Sequence, residues 1–308
     1  MGKALRVEQA DTVWFITSRT IRSELWFIRC PKLIERMKAY LAKYVKKYGV
    51  IIYAHCIVGN HFHLIAKFPL RNKSAFMRDL NSITAVLVRK YQRNFGSGTL
   101  FSRPHHALAL LDNKAIEDKF LYTLLNFVSS GIVERISDHP DSFGTFDPVS
   151  GTSRTFKIIC WRTYRDKKRY NKKLKPSDFE QKYTLTYHRL PGFEHLSQKE
   201  YETLLRNKIE ERRCQLIQER FKDGKGFLGI KKLKEQRPGQ KPKNTKTSTE
   251  SSFMPIVQCS CPILKQQYLT FYFNTVAEFR ACFKKLKQGI HNVSFPSGTY
   301  PPRLLVPI

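Results

Sequence analysis

Two apolar runs that meet at a glycine–asparagine pair constrain the fold of this chain more than any other stretch. The runs cover residues 50–58 and 61–68, and Gly59-Asn60 separates them. Such runs, joined by two turn residues, predict a β-hairpin. Residues two apart on a strand point to the same face, so His61 and His63 project together from the second strand. Two imidazoles side by side are half of a metal site, but a His-x-His pair also arises by chance and needs a third ligand to indicate chemistry.

Periodicity on either side of this hairpin predicts the rest of a domain. Strands are predicted at 13–17 and 106–111, and helices at 31–48, from 72 or 74 to about 93, and at 114–129. The order strand, helix, strand, strand, helix, strand predicts an α+β fold, a ferredoxin-like βαββαβ unit with one helix appended. We expect the hairpin at the centre of the sheet, both main helices on one face and the histidine pair on the other.

Composition divides the remainder of the chain. Residues 151–250 contain 27 Lys and Arg against 12 Asp and Glu. We interpret 1–150 as the catalytic domain, 151–223 as a basic, mostly helical extension that binds nucleic acid, and 224–252 as a flexible basic linker. Residues 253–308 are predicted to form a small strand–helix segment, with the strand at 269–273 and the helix ending near 288.

The charge of the whole chain indicates a polyanionic partner. Fifty-five Lys and Arg against 25 Asp and Glu give a net charge of +30 and a pI near 10.0. Nucleic acid fits this excess best, and an anionic membrane surface is the competing partner. No apolar run is long enough to span a membrane, and no secretory signal is evident. Seven cysteines, an odd number, favour reduced thiols. We therefore expect a cytoplasmic, nucleic-acid-associated protein with no membrane partner.

The third predicted helix offers a candidate third metal ligand and a candidate nucleophile beside the histidine pair. Tyr122 and Asn126 are four residues apart and share one helical face. Two imidazole nitrogens and an amide oxygen would form an open site for Mg²⁺ or Mn²⁺, and a tyrosine activated beside it can attack a phosphodiester. Spacing alone fits a core tyrosine and a surface asparagine better.

Three motifs at matching separations resemble the REP-associated tyrosine transposases, a group within the His-hydrophobe-His (HUH) single-tyrosine class. They are His61-Phe62-His63, residues 98–103 and residues 122–126, and the resemblance extends over about residues 11–146. The chain departs from many members at Gly59, where they have proline. It departs again after Asn126, where Phe127-Val128-Ser129-Ser130 replaces basic residues.

This resemblance implies a function. His61, His63 and Asn126 would hold the metal, and Tyr122 would cleave single-stranded DNA beside a hairpin, leaving a 5′-phosphotyrosine and a free 3′-hydroxyl. Phosphate contacts would come from Arg19, Arg103 and the basic face of the second helix, which carries Arg78, Arg89, Lys90 and Arg93. The protein would act in the bacterial cytosol on DNA with palindromic ends.

Several alternatives stay open. A nuclease that nicks DNA without mobilising an element has the same sequence features, and a catalytically silent or domesticated hairpin-binding protein is the alternative from another class. Retention of all four site residues argues against the silent protein. Monomer and homodimer are both compatible with the sequence, and Tyr122 would serve its own histidine pair or that of a partner accordingly.

Overall fold

The computed structural model describes residues 4–101, 104–242 and 254–302. Its first eight elements are β1 (Val13–Arg19), α1 (Pro31–Tyr48), β2 (Ile51–Val58), β3 (His61–Lys67), α2 (Lys73–Tyr91), β4 (His106–Leu110), α3 (Asn113–Leu124) and α4 (Asn126–Ser129). The later elements are α5 (Asp147–Ser150), β5 (Arg154–Ile159), α6 (Trp161–Lys168), β6 (Glu180–Leu185), α7 (Gln198–Lys222), α8 (Gly229–Glu235), β7 (Val257–Gln258) and α9 (Pro262–Lys287).

Strand order confirms the predicted α+β fold. Within the described residues the main sheet runs β2-β3-β1-β4-β7, and its first four strands pair antiparallel in ferredoxin-like order. The expectation that the whole hairpin is central was wrong, because β1 inserts between β3 and β4 and leaves β2 at the edge. At the other edge β7 pairs with β4 in parallel.

The two faces of the sheet carry different helices. Trp14, Phe62 and Leu64 point to one face, where they pack with the apolar sides of α1 and α2. Phe15 and Ile65 point to the other face and pack with α3, α4 and α7. Because side chains alternate along a strand, His61 and His63 lie on the second face with Ile65. The predicted separation of the main helices from the histidine pair is confirmed.

The third helix has a break that its apolar pattern does not show. One helix was predicted over 114–129, whereas α3 ends at Leu124 and α4 begins at Asn126. Between them Leu125 has φ −86° and ψ 13°, outside the regular helical range. The Asp112 carboxylate caps the start of α3 by accepting a 2.7 Å hydrogen bond from the amide of Ala115.

The extension differs in part from the predicted helical region. Strands β5 and β6 pair antiparallel as a separate two-stranded sheet, with α6 between them in the chain. Helix α7 begins with a capping box, in which Ser197 Oγ accepts from the amide of Glu200 and the Glu200 carboxylate accepts from the amide of Ser197.

The last segments also correct the sequence interpretation. The predicted linker contains α8, and two backbone hydrogen bonds join its residues 239 and 240 to Leu25. The strand predicted at 269–273 was wrong, since these residues lie inside α9. Tyr268, Tyr272 and Thr275 recur at helical spacing there and bury one side of the helix. Residues 243–253 of the predicted linker and segment lie outside the described residues.

Candidate active site

The histidine pair is buried on β3. The His61 and His63 ring centroids are 4.6 Å apart, and the planes cross at 75°. Their cross-strand partners on β1 are Arg19 and Thr17, respectively. The Phe15 ring stacks on His63 with a centroid distance of 4.9 Å. The His63 ring therefore contacts both Phe15 and His61.

Hydrogen bonds occupy the Nδ1 atom of each imidazole. Nδ1 of His61 lies 2.6 Å from Asn60 Oδ1, and the Asn60 amide in turn donates to the carbonyl of Ser23 at 2.9 Å. Nδ1 of His63 lies 2.8 Å from Thr17 Oγ1. Nε2 of His63 is buried without a hydrogen-bond partner among the described residues. Metal-binding histidines are held in this way, with one ring nitrogen on a neighbouring oxygen and the other facing the ion.

Asn126 completes a three-residue set at the start of α4. Its side chain is buried, and its amide lies close enough to His61 to raise the pKa of that imidazole and to Tyr122 to lower the pKa of its hydroxyl. Ser130 Oγ donates to Asn126 Oδ1 at 3.3 Å, whereas Nδ2 is buried without a partner in the described chain. The unpartnered His63 nitrogen, an acceptor, fits a missing cation, whereas the unpartnered Asn126 Nδ2, a donor, fits a missing acceptor.

The electrostatics of the pair favour ligands over acid–base catalysts. Burial lowers the pKa of His61 to about 3, and the charge of Arg19 acts in the same direction. Burial and the neighbouring His61 lower the pKa of His63 well below its ordinary value. Both imidazoles are therefore neutral at pH 7, the form that binds a cation.

Tyr122 lies at the opening of this site. Its side chain is 40% exposed, and its ring centroid is 5.5 Å from that of His63. Burial raises the pKa of its hydroxyl, while the Asn126 amide and the charge of Arg19 lower it. The hydroxyl therefore stays protonated at neutral pH unless a bound cation lowers its pKa.

Lys119 was missed in the sequence. Its Nζ is 5.3 Å from the Tyr122 ring centroid and 5.4 Å from that of Phe15. Partial burial lowers the pKa of its ammonium group. The signal that could have identified it is its spacing, because a residue three before Tyr122 lies on the same helical face.

Comparison with known proteins identifies part of the chain. Residues 18–116 match the family model described as "Transposase IS200 like". This region is similar to the IS200-like transposases. The resemblance inferred from the motifs is thereby confirmed at that level. The matched residues contain His61 and His63 but end at Ile116, before Tyr122 and Asn126.

Other comparisons are more distant. No curated protein is significantly similar to the chain. Among solved structures, a REP-associated tyrosine transposase bound to a REP hairpin matches 46% of this chain and 81% of its own, with 18% sequence identity and a TM-score of 0.39.

The predicted DNA-binding residues all belong to the matched range 18–116, but those that the structure describes lie on different parts of the domain. Arg19 is exposed beside the histidine pair. Helix α2, with Arg78, Arg89, Lys90 and Arg93, packs on the opposite face of the sheet, so these side chains are not gathered at Tyr122. The Arg78 guanidinium pairs with Asp79 at 2.9 Å. Arg103 lies outside the described residues.

The described residues contain no cluster of three or more His, Cys, Asp or Glu side chains able to hold a metal. The candidate set of His61, His63 and Asn126 therefore depends on an amide as its third member. Across the same ranges, no helix is long and apolar enough to cross a membrane.

Proposed function

We propose that this chain cleaves and rejoins hairpin-flanked single-stranded DNA with Tyr122 as the nucleophile. The observation that carries the proposal is the meeting of Tyr122 with two neutral imidazoles and a buried amide. His63 Nε2 and Asn126 Nδ2 are buried there without a hydrogen-bond partner among the described residues. The IS200-like match supports a DNA-processing enzyme. Such an enzyme would work with DNA in the bacterial cytosol.

A divalent cation fits the candidate ligands. His61 and His63 would bind it through Nε2, and Asn126 through its amide oxygen, leaving positions for phosphate oxygens. Bound there, Mg²⁺ or Mn²⁺ would supply Lewis-acid stabilisation of a phosphodiester. The buried surroundings keep the imidazoles unprotonated and exclude competing ligands.

The reaction itself exchanges one phosphoester for another. The Tyr122 oxygen attacks phosphorus and loses its proton to solvent, the bond between phosphorus and O3′ breaks, and O3′ takes up a proton. The products are a 5′-phosphotyrosine and a free 3′-hydroxyl, and attack by a 3′-hydroxyl reverses the step and rejoins the strand. Arg19 would contact the phosphate, and Lys119 would hold the Tyr122 ring and add positive charge beside it. Arg89, Lys90 and Arg93 would bind DNA farther from the cleaved bond.

A cleavage assay tests this function. The protein is incubated with end-labelled, hairpin-flanked single-stranded DNA and Mn²⁺ or Mg²⁺, and the products are separated on a denaturing gel. We expect a shortened strand and a protein-linked strand with wild type, and a loss of at least about a thousandfold with Tyr122→Phe. Tyr40→Phe, a half-buried tyrosine on α1, is the matched control and should cleave normally.

Each contrary result has a defined meaning. Cleavage by Tyr122→Phe at the wild-type rate would remove Tyr122 from the mechanism. Tight hairpin binding without cleavage under every metal condition would instead identify a silent hairpin-binding protein. Cleavage that persists in EDTA would overturn the role given to the cation.

A further inference from the structure

Residues 151–223 contain two bodies with very different charge. Helix α7 has seven Lys and Arg against five Asp and Glu. Most of these charges are matched, and the side chains of Tyr201, Leu205 and Ile209 are buried in the core behind the catalytic helix. The ion pairs of α7 are Arg206–Glu202 at 2.7 Å, Lys208–Glu117 at 2.6 Å, Arg212–Glu219 at 3.1 Å and Arg213–Glu210 at 2.5 Å. This helix is therefore a packing element.

The second body, residues 157–175, is what we call the basic lobe. It contains nine Lys and Arg against one acidic residue, Asp166. Within the described ranges, Lys157 is the only one of the nine with a carboxylate in ion-pair distance, namely Glu180 at 2.9 Å. Unmatched cations at this density repel one another and bind a polyanion with release of its counterions.

Aromatic rings lie among these cations. The Tyr170 side chain is 92% exposed and is flanked in the chain by Arg169 and Lys172. Trp161 is 44% exposed and meets Tyr164 edge-on at a centroid distance of 5.9 Å. Exposed rings between backbone-neutralising cations are the arrangement that stacks unpaired bases, because a base in a duplex has no free face to offer.

The basic lobe lies away from the candidate active site. The basic lobe begins with the end of β5, and β5 packs against α1. There Arg36 Nη1 donates to the carbonyl of Lys157 at 2.7 Å. Helix α1 covers the face of the sheet opposite His61 and His63. A strand bound to the lobe would therefore be a different part of the DNA from the phosphate at Tyr122.

We propose that the basic lobe is a second DNA-binding surface that holds an unpaired strand outside the cleaved hairpin, while α7 makes no DNA contact. The proposal rests on the proposed function for the identity of the substrate. It divides the predicted nucleic-acid-binding extension into a binding lobe and a packing helix.

Binding measurements on the full-length protein test the lobe. Fluorescence anisotropy in EDTA, which prevents cleavage, compares an unstructured single strand, a duplex of the same sequence and an RNA strand. We expect Tyr170→Ala to weaken single-strand binding about tenfold and to leave duplex binding unchanged. The triple variant Arg169→Gln, Lys172→Gln, Lys173→Gln should reduce the slope of log K against log salt by about 2.

Matched controls separate this effect from a loss of total charge. Lys284→Gln, Lys285→Gln and Lys287→Gln remove the same charge from the exposed last turn of α9 and should leave the salt slope unchanged. Arg206→Gln on α7 should bind as wild type. All of these positions, Arg206 included, have exposed side chains, and each variant is checked by its Tm.

The overturning results are equally specific. Three results would contradict an unpaired DNA strand as the occupant. Tyr170→Ala could weaken single-strand and duplex binding equally, or the α9 control could change the salt slope as much as the lobe variant. The third result is a preference for RNA above tenfold. The assay uses no catalysis, so these results are distinct from failure of Tyr122 to cleave. If the protein does not cleave DNA but Tyr170→Ala still weakens single-strand binding, the proposed cleavage activity is contradicted. The proposed DNA-binding role of the basic lobe then stands.

Discussion

In the proposed metal site, the two imidazoles would present Nε2 to the ion, because neighbouring side chains already occupy their Nδ1 atoms. Thr17 holds the ring of His63 from the adjacent strand, and Asn60 holds that of His61 from the turn. Such outer contacts set ring orientation and the free nitrogen, and losing one typically costs about 10- to 100-fold in metal affinity.

The Thr17 contact can be removed with little change in shape. Thr17→Val should lower the affinity for Mn²⁺, measured by titration calorimetry, by about 10- to 100-fold. Thr155→Val, an exposed residue of the two-stranded β5–β6 sheet, is the control and should bind as wild type. Equal affinity in Thr17→Val and wild type would show that Thr17 does not orient a metal ligand.

Lys119 is expected to matter for chemistry and not for metal binding. A cation beside the Tyr122 ring stabilises negative charge as the hydroxyl loses its proton, so Lys119→Met should slow single-turnover cleavage about tenfold with Mn²⁺ affinity unchanged. Lys114→Met, exposed in the first turn of the same helix, should cleave normally. If the two variants cleave alike, Lys119 has no part in the reaction.

The sequence predicts the candidate site only in outline. Parity on a strand is enough to place His61 and His63 together, and helical spacing is enough to pair Tyr122 with Asn126. The contacts of Thr17 and Phe15 could not be predicted, because they depend on the register in which β1 pairs with β3. Whether Tyr122, Asn126 and the histidine pair occupy a common metal-dependent centre stays a prediction.

Among the elements, α4 and the turn after it are braced by the extension. The Arg220 guanidinium lies against Gly131, just after α4, and its Nη2 donates to the carbonyl of residue 226 at 2.6 Å. The amides of Leu228 and Gly229 donate to the carbonyls of Gly131 and Ile132 at 2.9 and 3.0 Å. The brace packs against the segment that follows Asn126, so the 1–150 boundary leaves out residues that support the site.

Two glycines with similar positive φ values allow the effect of the Arg220 contact to be measured separately from backbone strain. Gly131 and Gly224 have φ values of +68° and +65°, but a Cβ at Gly131 would overlap Arg220, whereas one at Gly224 meets nothing. Gly224→Ala should cost about 1 kcal/mol of unfolding free energy and Gly131→Ala about 3 kcal/mol, measured by urea titration. Equal costs would mean that the contact with Arg220 does not hold the segment.

Element prediction failed where a short apolar run was ambiguous. The run at 269–273 is as apolar as a strand, and only the buried tyrosines on either side of its centre show a helix. The edge position of β2 could also not be predicted from the sequence, because it depends on β1 inserting between β3 and β4. The order of the first seven elements was predictable because each has a strong period.

At the scale of the whole molecule, the fold buries several neutral histidines. Burial lowers the pKa of His55 and His105 to about 3 and that of His139 to about 4. These groups bind protons more readily when unfolded, so folding stability is present above the unfolded pKa of about 6.5 and is lost as the pH falls below it.

Urea unfolding from pH 7.5 to 5 checks this dependence. The free energy of unfolding should fall below pH 6.5 by about 1.4 kcal/mol per pH unit for each buried histidine. His55→Gln should reduce the slope of unfolding free energy against pH by about 1.4 kcal/mol per pH unit. His291→Gln, at an exposed residue, should leave this slope unchanged. A pH-independent stability over this range would contradict the neutral, buried state of these side chains.

The covalent bond between Tyr122 and DNA is the claim on which the account of this molecule depends. Trypsin cleaves after Lys119 and Arg135, and the peptide 120–135 between them contains a single tyrosine, Tyr122. After reaction with hairpin-flanked single-stranded DNA, nuclease digestion and mass spectrometry should find a nucleotide bound to this peptide at Tyr122. A nucleotide on a different tyrosine-containing peptide, or cleaved DNA with peptide 120–135 unmodified, would contradict the account.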